Sequence, residues 1–316
     1  MAEKIIDAIP TGLIEAELTK SAFLRKTNKG NNEIYVVTAH DAPNVMREVG
    51  RLREIAFRAA GGGTGKECDI DSFDLMDPPC SQLIVWDPEN KAILGGYRFI
   101  LGRNIRFQPD GSPRIATSHM FRFSDSFIRD YLPKTIELGR SFVRLEYQSS
   151  KAGAKAIFAL DNLWDGLGAL TVIHPEIKYL FGKFTMYPSY NKECRDMLLY
   201  FLVKHFPDPD CLVRPFHPLD YDFPEDKYRR MFPAGSDFKE DYRILNAAIR
   251  EHGINIPPLV NAYMGLSPTM KIFGTAINDE FGNVEETGIF VTIDDIFEEK
   301  KQRHIDTYHI EVVSKS

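Results

Sequence analysis

An α/β fold, with a mixed and mostly antiparallel sheet carrying helices on both faces, is what the sequence predicts, and three observations carry that expectation. A strand–helix–strand run in the middle of the chain requires a crossover between parallel neighbours. Hairpins flank that run and make the remaining pairings antiparallel. The 316 residues, 43% hydrophobic and 27% charged, suffice for one sizeable core and exclude a mostly disordered chain. A single domain over 1–316 is expected, with an irregular insertion at 206–237.

Taken in order, residues 1–32 are mixed and include a basic loop, Lys20 to Asn32. Glu33 to Ala39 reads as the first strand, with Ile34, Val36 and Val37 apolar. Asp41 is placed to cap a helix over 42–58, where Val45, Val49, Leu52 and Ala56 recur at helical spacing. A glycine-rich loop, Gly61 to Gly65, and an acidic segment, Glu67 to Asp77, come next. Gln82–Trp86 and Ala92–Leu101 form a hairpin about Asp87 to Lys91. Thr135 to Tyr147 is a strand in which Gly139 marks a bulge or close approach. Ser150 can cap a helix over 151–170, whose Ile157, Leu160, Trp164 and Leu167 share a face. Ile177 to Tyr187 is the next strand and Lys192 to His205 the next helix. Six prolines and six aspartates between Phe206 and Asp237 mark the insertion. Lys239 to His252 is helical and Gly253 stops it. Met270–Ile277 and Thr287–Ile293 form a second hairpin about Asn278 to Asn283, and the tail beyond Phe297 is charged.

Charge and composition exclude several function classes. Lys and Arg number 39 against 45 Asp and Glu, a net charge of −6, so the bulk basic footprint of a nucleic-acid binder is absent. The longest apolar run, Met197 to Val203, falls far short of the ~20 residues a membrane-spanning helix needs. Met1 to Pro10 carries acids and no apolar core of a signal peptide, so a cytoplasmic protein is expected. Cys68, Cys80, Cys194 and Cys211 form no CxxC pair and no zinc spacing with a histidine, so free thiols and no metal centre are expected.

Gly61-Gly-Gly-Thr-Gly65-Lys66 imitates a phosphate-binding loop, but that motif needs glycine at Ala60 and Ser or Thr at Glu67, and it follows a strand. A flexible lid beside a site suits the glycines better. Asp69, Asp71 and Asp74 lack the glycine and closing glutamate of a calcium loop. They are suited to bind a cationic substrate or to pair with Arg53 and Arg98. Arg53 lies beside the apolar face of its helix and Arg98 inside an apolar strand, where an unpaired charge is costly. In Glu137-Leu-Gly139-Arg140-Ser141-Phe142, a bulge at Gly139 can bring Glu137 and Arg140 to one side and free a backbone N–H for a carbonyl oxygen. The alternative there is a structural salt bridge.

The ordered series Arg53…Phe57…Asp69-Ile-Asp71…Asp74…Gly95-Gly-Tyr-Arg98…Glu137-Leu-Gly-Arg140 resembles the acyl-carrier-protein-dependent branch of the GNAT superfamily. It is similar to the ornithine-lipid and glycine-lipid N-acyltransferases, often labelled hemolysin-like, and more distantly to the acyl-homoserine-lactone synthases. The resemblance spans residues 33–205 and reaches, more weakly, through Ile256-Pro-Pro-Leu-Val260…Tyr263. It implies a sheet splayed into a V between two central parallel strands, with an acyl thioester in the gap. It also implies Asp69, Asp71, Asp74 and Glu137 on the acceptor side, with Phe57 there and Arg53, Arg98 and Arg140 as charge partners. Members using acetyl-CoA carry an Arg/Gln-x-x-Gly-x-Gly/Ala loop. Here Gln148…Lys151-Ala-Gly153 has Lys151 at the first glycine, which argues against a tight pyrophosphate seat. A helix N-terminus still favours one phosphate, as on a phosphopantetheine arm.

The implied activity moves a fatty acyl group from a carrier-protein thioester to the amino group of ornithine or glycine. No cofactor is involved beyond the acyl-phosphopantetheine co-substrate. Glu137, directly or through water, is the candidate base. A backbone N–H near Ser141 or Phe142 is the candidate oxyanion donor, beside Arg140. Lys151, Gly153 and Lys155 are the candidate donor-binding residues, the two lysines forming a landing patch for an acidic acyl-carrier protein. The insertion is either a lid or an element making peripheral membrane contact. The alternatives are another GNAT reaction, from acyl-CoA or forming a lactone, and a non-catalytic lytic protein. The missing leader and missing spanning segment speak against the last.

Overall fold

The computed structural model describes residues 2–148, 154–220 and 224–308. In chain order its elements are α1 (Thr11–Glu17), β1 (Phe23–Lys26), β2 (Glu33–Val37), α2 (Pro43–Ala60), α3 (Ser72–Leu75), β3 (Ser81–Asp87), β4 (Ala92–Leu101), β5 (Phe121–Phe123), β6 (Thr135–Val143), α4 (Ala154–Ile173), β7 (Tyr179–Met186), α5 (Lys192–His205), β8 (Val213–Pro215), α6 (Glu225–Met231), α7 (Phe238–Glu251), α8 (Pro258–Met264), β9 (Lys271–Asn278), β10 (Val284–Thr292) and α9 (Glu298–His304).

Eight strands form one sheet in the order β1-β2-β3-β4-β6-β7-β10-β9, and β5 pairs with β8 in a separate ribbon. Every neighbour pair of the large sheet is antiparallel except β6–β7, the pair joined through α4. Strand alternation sorts the core into two faces. Leu83 and Val85 of β3 pack with Leu163 and Leu167 of α4, while Ile84 and Trp86 pack with Val45, Val49 and Leu52 of α2. Helices therefore cover both faces. A third cluster, rich in phenylalanine and including Phe127, Phe181 and Phe290, joins Ile100 on the α2 side.

The long strands and helices fall where hydrophobic periodicity puts them, and α5 matches to the residue. The short elements differ. The basic loop contains β1, which pairs with β2, and α1 precedes it. The predicted strand from Thr135 stops at Val143 and passes into a 3₁₀ turn at Leu145–Tyr147. Asp41 does not cap α2: its Oδ1 accepts from Thr38 N at 2.6 Å, and Ala42 is the cap residue. The orphan N–H groups of α2 are met instead by Glu17 of α1, which accepts from Asn44 N at 3.1 Å and Val45 N at 2.8 Å. Ser150, the predicted cap of α4, lies outside the described residues.

The segment 206–237 is more ordered than its prolines predict. It holds β8 and α6, and Tyr228 and Phe232 of this stretch pack on Tyr200 of α5 with ring centroids 5.4 and 6.2 Å apart. The charged tail forms α9, which docks beside β1 on α4. His304 Nδ1 sits 2.7 Å from Asp165 Oδ1, Asn28 bridges Asp165 and the Arg303 carbonyl, and Arg25 reaches Thr307. Gly168 makes that approach feasible, since a Cβ there would stand 2.1 Å from the His304 carbonyl oxygen. Among the described residues, no helix is long and apolar enough to cross a membrane.

Candidate active site

β6 and β7 pair only through Thr135–Glu137 against Tyr179–Phe181. At the end of that pairing Gly182 leaves no room for a side chain, because a Cβ would lie 2.9 Å from the Leu138 carbonyl oxygen. Beyond it a cavity of about 650 Å³ opens, walled by Leu138 to Val143 on one strand and by Lys183, Thr185 and Met186 on the other. Phe57 of α2, Phe281 and Leu259 contribute apolar walls. A largely apolar cleft of this size is typical of a small-molecule site.

One lip of the cleft is bulged. Gly96 pairs with Phe142 and Arg98 with Gly139, so Tyr97 alone faces both Arg140 and Ser141. Two residues against one is a β-bulge, and it leaves a ladder group unpaired. Gly139 is not the strained residue: Arg140 takes the left-handed conformation, at φ +49°. The slip reverses the alternation, so Phe142 joins the α2 core although Leu138, four residues earlier, faces α4. Arg140 is thereby aimed at Asp69, with Nε 3.0 Å from Oδ2, and lies over the Phe281 ring at 4.4 Å from its centroid.

Of the seven charged residues grouped by the resemblance, all but Glu137 join one ion-pair network, of which Arg140 alone lines the cleft. Arg98 Nη1 lies 2.7 Å from Asp71 Oδ2 and 3.4 Å from Asp74 Oδ2, and Arg53 Nη1 is 3.5 Å from Asp74. Gln82 ties the group together, donating to Asp74 at 2.9 Å and accepting from Arg53. Asp71 also caps α3 through Phe73 N at 2.8 Å. Burial pushes the Asp71 carboxyl up, but Arg98 and Arg140 outweigh it and hold the group below the usual carboxylate range. None of Arg53, Asp69, Asp71, Asp74 or Arg98 lines the cavity. Of the two readings of these acids, pairing with Arg53 and Arg98 is the one the geometry shows.

Glu137 is 2% exposed on the α2 side of β6, behind Leu138 and Gly139. Its Oε1 has no hydrogen-bond partner, and burial raises its pKa against the pull of Arg98 and Lys183. Phe57, Arg140, Ser141 and Phe142 do line the cavity. Lys151 and Gly153 lie outside the described residues, as does the side chain of Lys155 on α4.

Tyr97, Tyr263, Lys183 and Glu286 also line the cavity, and the sequence assigned them no role. Tyr97 and Tyr263 meet hydroxyl to hydroxyl at 3.4 Å, and both are buried enough to raise their pKa values. Lys183 of β7 pairs with Glu286 of β10. The lysine was legible in principle, since it stands within the apolar run Tyr-Leu-Phe-Gly-Lys-Phe-Thr-Met, where a charge needs a partner.

The glycine-rich loop is a pinned turn, not a free lid. Buried Glu54 accepts from Arg58 Nε at 2.7 Å, Thr64 N at 3.1 Å, Thr64 Oγ1 at 2.9 Å and Gly65 N at 2.7 Å. Glu54→Ala should cost about 1.5–3 kcal/mol, the span of hydrogen bonds to a charged group. It should also speed proteolytic cutting within 61–66, read by urea melts and timed digestion. Unchanged cutting would mean that the loop is held by something else.

A family model described as an acetyltransferase (GNAT) domain matches residues 52–157, from mid-α2 into α4. A glycine N(alpha)-acyltransferase of Bacteroides thetaiotaomicron is 62% identical over 97% of this chain and 90% of its own length. Another of that name, from Phocaeicola vulgatus, is 60% identical over 97% of this chain and 94% of its own. Among solved structures, FeeM, an N-acyl amino acid synthase from uncultured soil microbes, aligns over 89% of this chain and 100% of its own at 10% identity, with a TM-score of 0.39. The CoA-dependent acyl-homoserine lactone synthase BjaI aligns over 89% and 90% at 11% identity, with a TM-score of 0.36. With more than half of its residues shared along nearly the whole length, the chain belongs to the family of the two glycine N(alpha)-acyltransferases and is a GNAT-fold acyltransferase.

Proposed function

We propose that the enzyme transfers a fatty acyl group from the phosphopantetheine thioester of an acyl-carrier protein to the amino group of glycine. The observation that carries this reading is the apolar cleft between the parted ends of β6 and β7, which is open to a long acyl chain and bears polar groups only along part of its wall. Glycine is favoured over ornithine because Asp69, Asp71 and Asp74 are engaged by arginines, which leaves them no role in holding a second ammonium. The near-full-length likeness to glycine N(alpha)-acyltransferases supports the same choice.

In the reaction the neutral amine attacks the thioester carbonyl, and the amine proton passes through water to Glu137, which lies outside the lining of the cleft. The tetrahedral oxyanion is met by the backbone N–H that the bulge frees near Ser141 or Phe142. Collapse expels the pantetheine thiolate and leaves an amide. The four cysteines are free thiols, and none lines the cavity, which supports direct transfer over an acyl-enzyme.

Purified enzyme offered acyl-carrier protein or acyl-CoA, with glycine or ornithine, tests this by mass spectrometry of the products. N-acylglycine from the carrier thioester is expected. Acylornithine in equal yield, or equal use of acyl-CoA, would overturn the corresponding part. Reversing Lys151 and Lys155 to Glu should raise the KM for acyl-carrier protein, as should added salt on the wild type, since exposed charges are screened beyond ~10 Å at 0.1 M. A short acyl-pantetheine donor should be insensitive to both; equal loss with that donor would remove the lysines from docking.

A further inference from the structure

The cavity holds a charged pair that the reaction scheme above does not use. Lys183 projects from β7 with its side chain 10% exposed, and Glu286 of β10, at 2%, is its ion-pair partner. Thr185 stands directly opposite Glu286 in the antiparallel ladder, which sets Lys183 on the diagonal, within reach of a long side chain. Glu286 is fully engaged: one oxygen accepts from Lys183 Nζ and from Asn278 Nδ2 at 2.9 Å, the other from Thr185 Oγ1 at 3.1 Å. Burial pushes the Glu286 carboxyl up, yet Lys183 and Asn278 keep it ionised and below its ordinary range. A carboxylate with three donors on it is poorly placed to bind an incoming ammonium. Its consequence is to fix where the lysine points.

Lys183 itself has capacity left. An ammonium carries three N–H donors, and Glu286 takes one. Arg140 lines the same cavity, and its charge is felt at Lys183, where burial and the arginine both lower the lysine pKa. This part of the lining thus presents donors and positive charge toward the ligand, which suits an anion held by charge-assisted hydrogen bonds. Among the reactants, an α-amino acid brings such an anion. Its amine must be neutral to attack and becomes an amide, whereas its carboxylate is charged in substrate and product alike. In a water-poor cleft that permanent charge needs a partner.

We propose that Lys183, positioned by Glu286, seats the α-carboxylate of the acceptor and makes the enzyme select amino acids over plain amines. This deepens the reading of the cleft as the acyl-transfer site and rests on it.

The test compares glycine with glycinamide, which keeps the amine and lacks the carboxylate, at a saturating level of the acyl thioester that supports wild-type turnover. The variants are Lys183→Met and Lys183→Arg, with Lys183→Met/Glu286→Gln added because the first alone leaves a buried carboxylate unpaired. Wild type should favour glycine over glycinamide in kcat/KM by about 10- to 100-fold, the worth of a hydrogen bond to a charged group. Lys183→Met and the double variant should collapse that ratio toward one, chiefly through the KM for glycine, and Lys183→Arg should retain part of it. Parallel loss with both acceptors, or a wild type indifferent to the carboxylate, would overturn the proposal. Should ornithine prove the true acceptor, glycine fails as substrate but ornithine against its amide tests the seat in the same way.

Discussion

Asp74→Asn lowers the folding stability by about 3–5 kcal/mol, the cost of breaking a buried ion pair from one side. Asp74 has no exposure, and it faces Arg53 at 3.5 Å and Arg98 at 3.4 Å, both themselves buried. Asparagine keeps the shape and can still accept from Gln82 through one oxygen, but an amide nitrogen at the other position cannot accept from Asp71 N at 3.1 Å or from Arg98. Two guanidinium groups then share the carboxylates of Asp69 and Asp71, which Arg140 also uses. Burial already pulls the Arg53 pKa down against the attraction of Asp74, and the substitution removes that attraction. Urea denaturation measures the effect. Arg53→Met combined with Asp74→Asn should recover part of it, because the pair is then removed from both sides. A loss below about 1 kcal/mol in the single variant, the level of an exposed pair, would show that the network is solvated.

Glu137→Gln should slow acyl transfer by about 10²-fold or more, the contribution of a positioned base. The same change should make the protein more stable at neutral pH, which separates a catalytic loss from a folding loss. The sign follows from burial, which raises the Glu137 pKa in the folded state above the ~4.3 of an unfolded glutamate. Between those two values the folded chain holds a proton that the unfolded chain releases. Stability therefore falls as pH rises through that window and stays lower above it. Glutamine carries no such penalty, so the variant and wild type should converge below pH ~4 and diverge above it. In activity, kcat/KM of the wild type should rise as pH passes the raised value, and the variant should lack that limb. Near-wild-type turnover in Glu137→Gln would remove the residue from the chemistry.

The order of long strands and helices was legible because each buries one face, and burial imposes a period of two or of 3.6 residues. The arginine–aspartate network was legible for a related reason: Arg53 and Arg98 stand in apolar surroundings, and the acids nearby are the available partners. The site's edges were not. Gly139 attracted the bulge because glycine tolerates strain, but the strain falls on Arg140, which Asp69 and the Phe281 ring hold in place. Glu286 reads as one of two adjacent acids near a turn, and its partner is 103 residues away. Periodicity reports which way a side chain faces and not which distant strand it meets. Strands of three or four residues, such as β1, β5 and β8, and a helix as short as α8 contain too few alternations or turns to register.

The docking of α9 beside β1 bears on how the chain is made. Arg25 finds Thr307 across 282 residues, and Asn28 reaches the Arg303 carbonyl across 275. At about 5–20 residues per second, a ribosome takes on the order of tens of seconds to supply those partners after β1 has been synthesised. During that interval β1 is an edge strand with its outer corner unfinished, and α4 lacks the helix that covers Gly168. β1 remains an edge strand in the finished sheet, and what arrives late is the anchoring of Arg25 and Asn28 beside it. The docking that fixes the corner beside β1 therefore waits for residues 298–307, which are made after Phe281 and Glu286 have already completed the lining of the cleft.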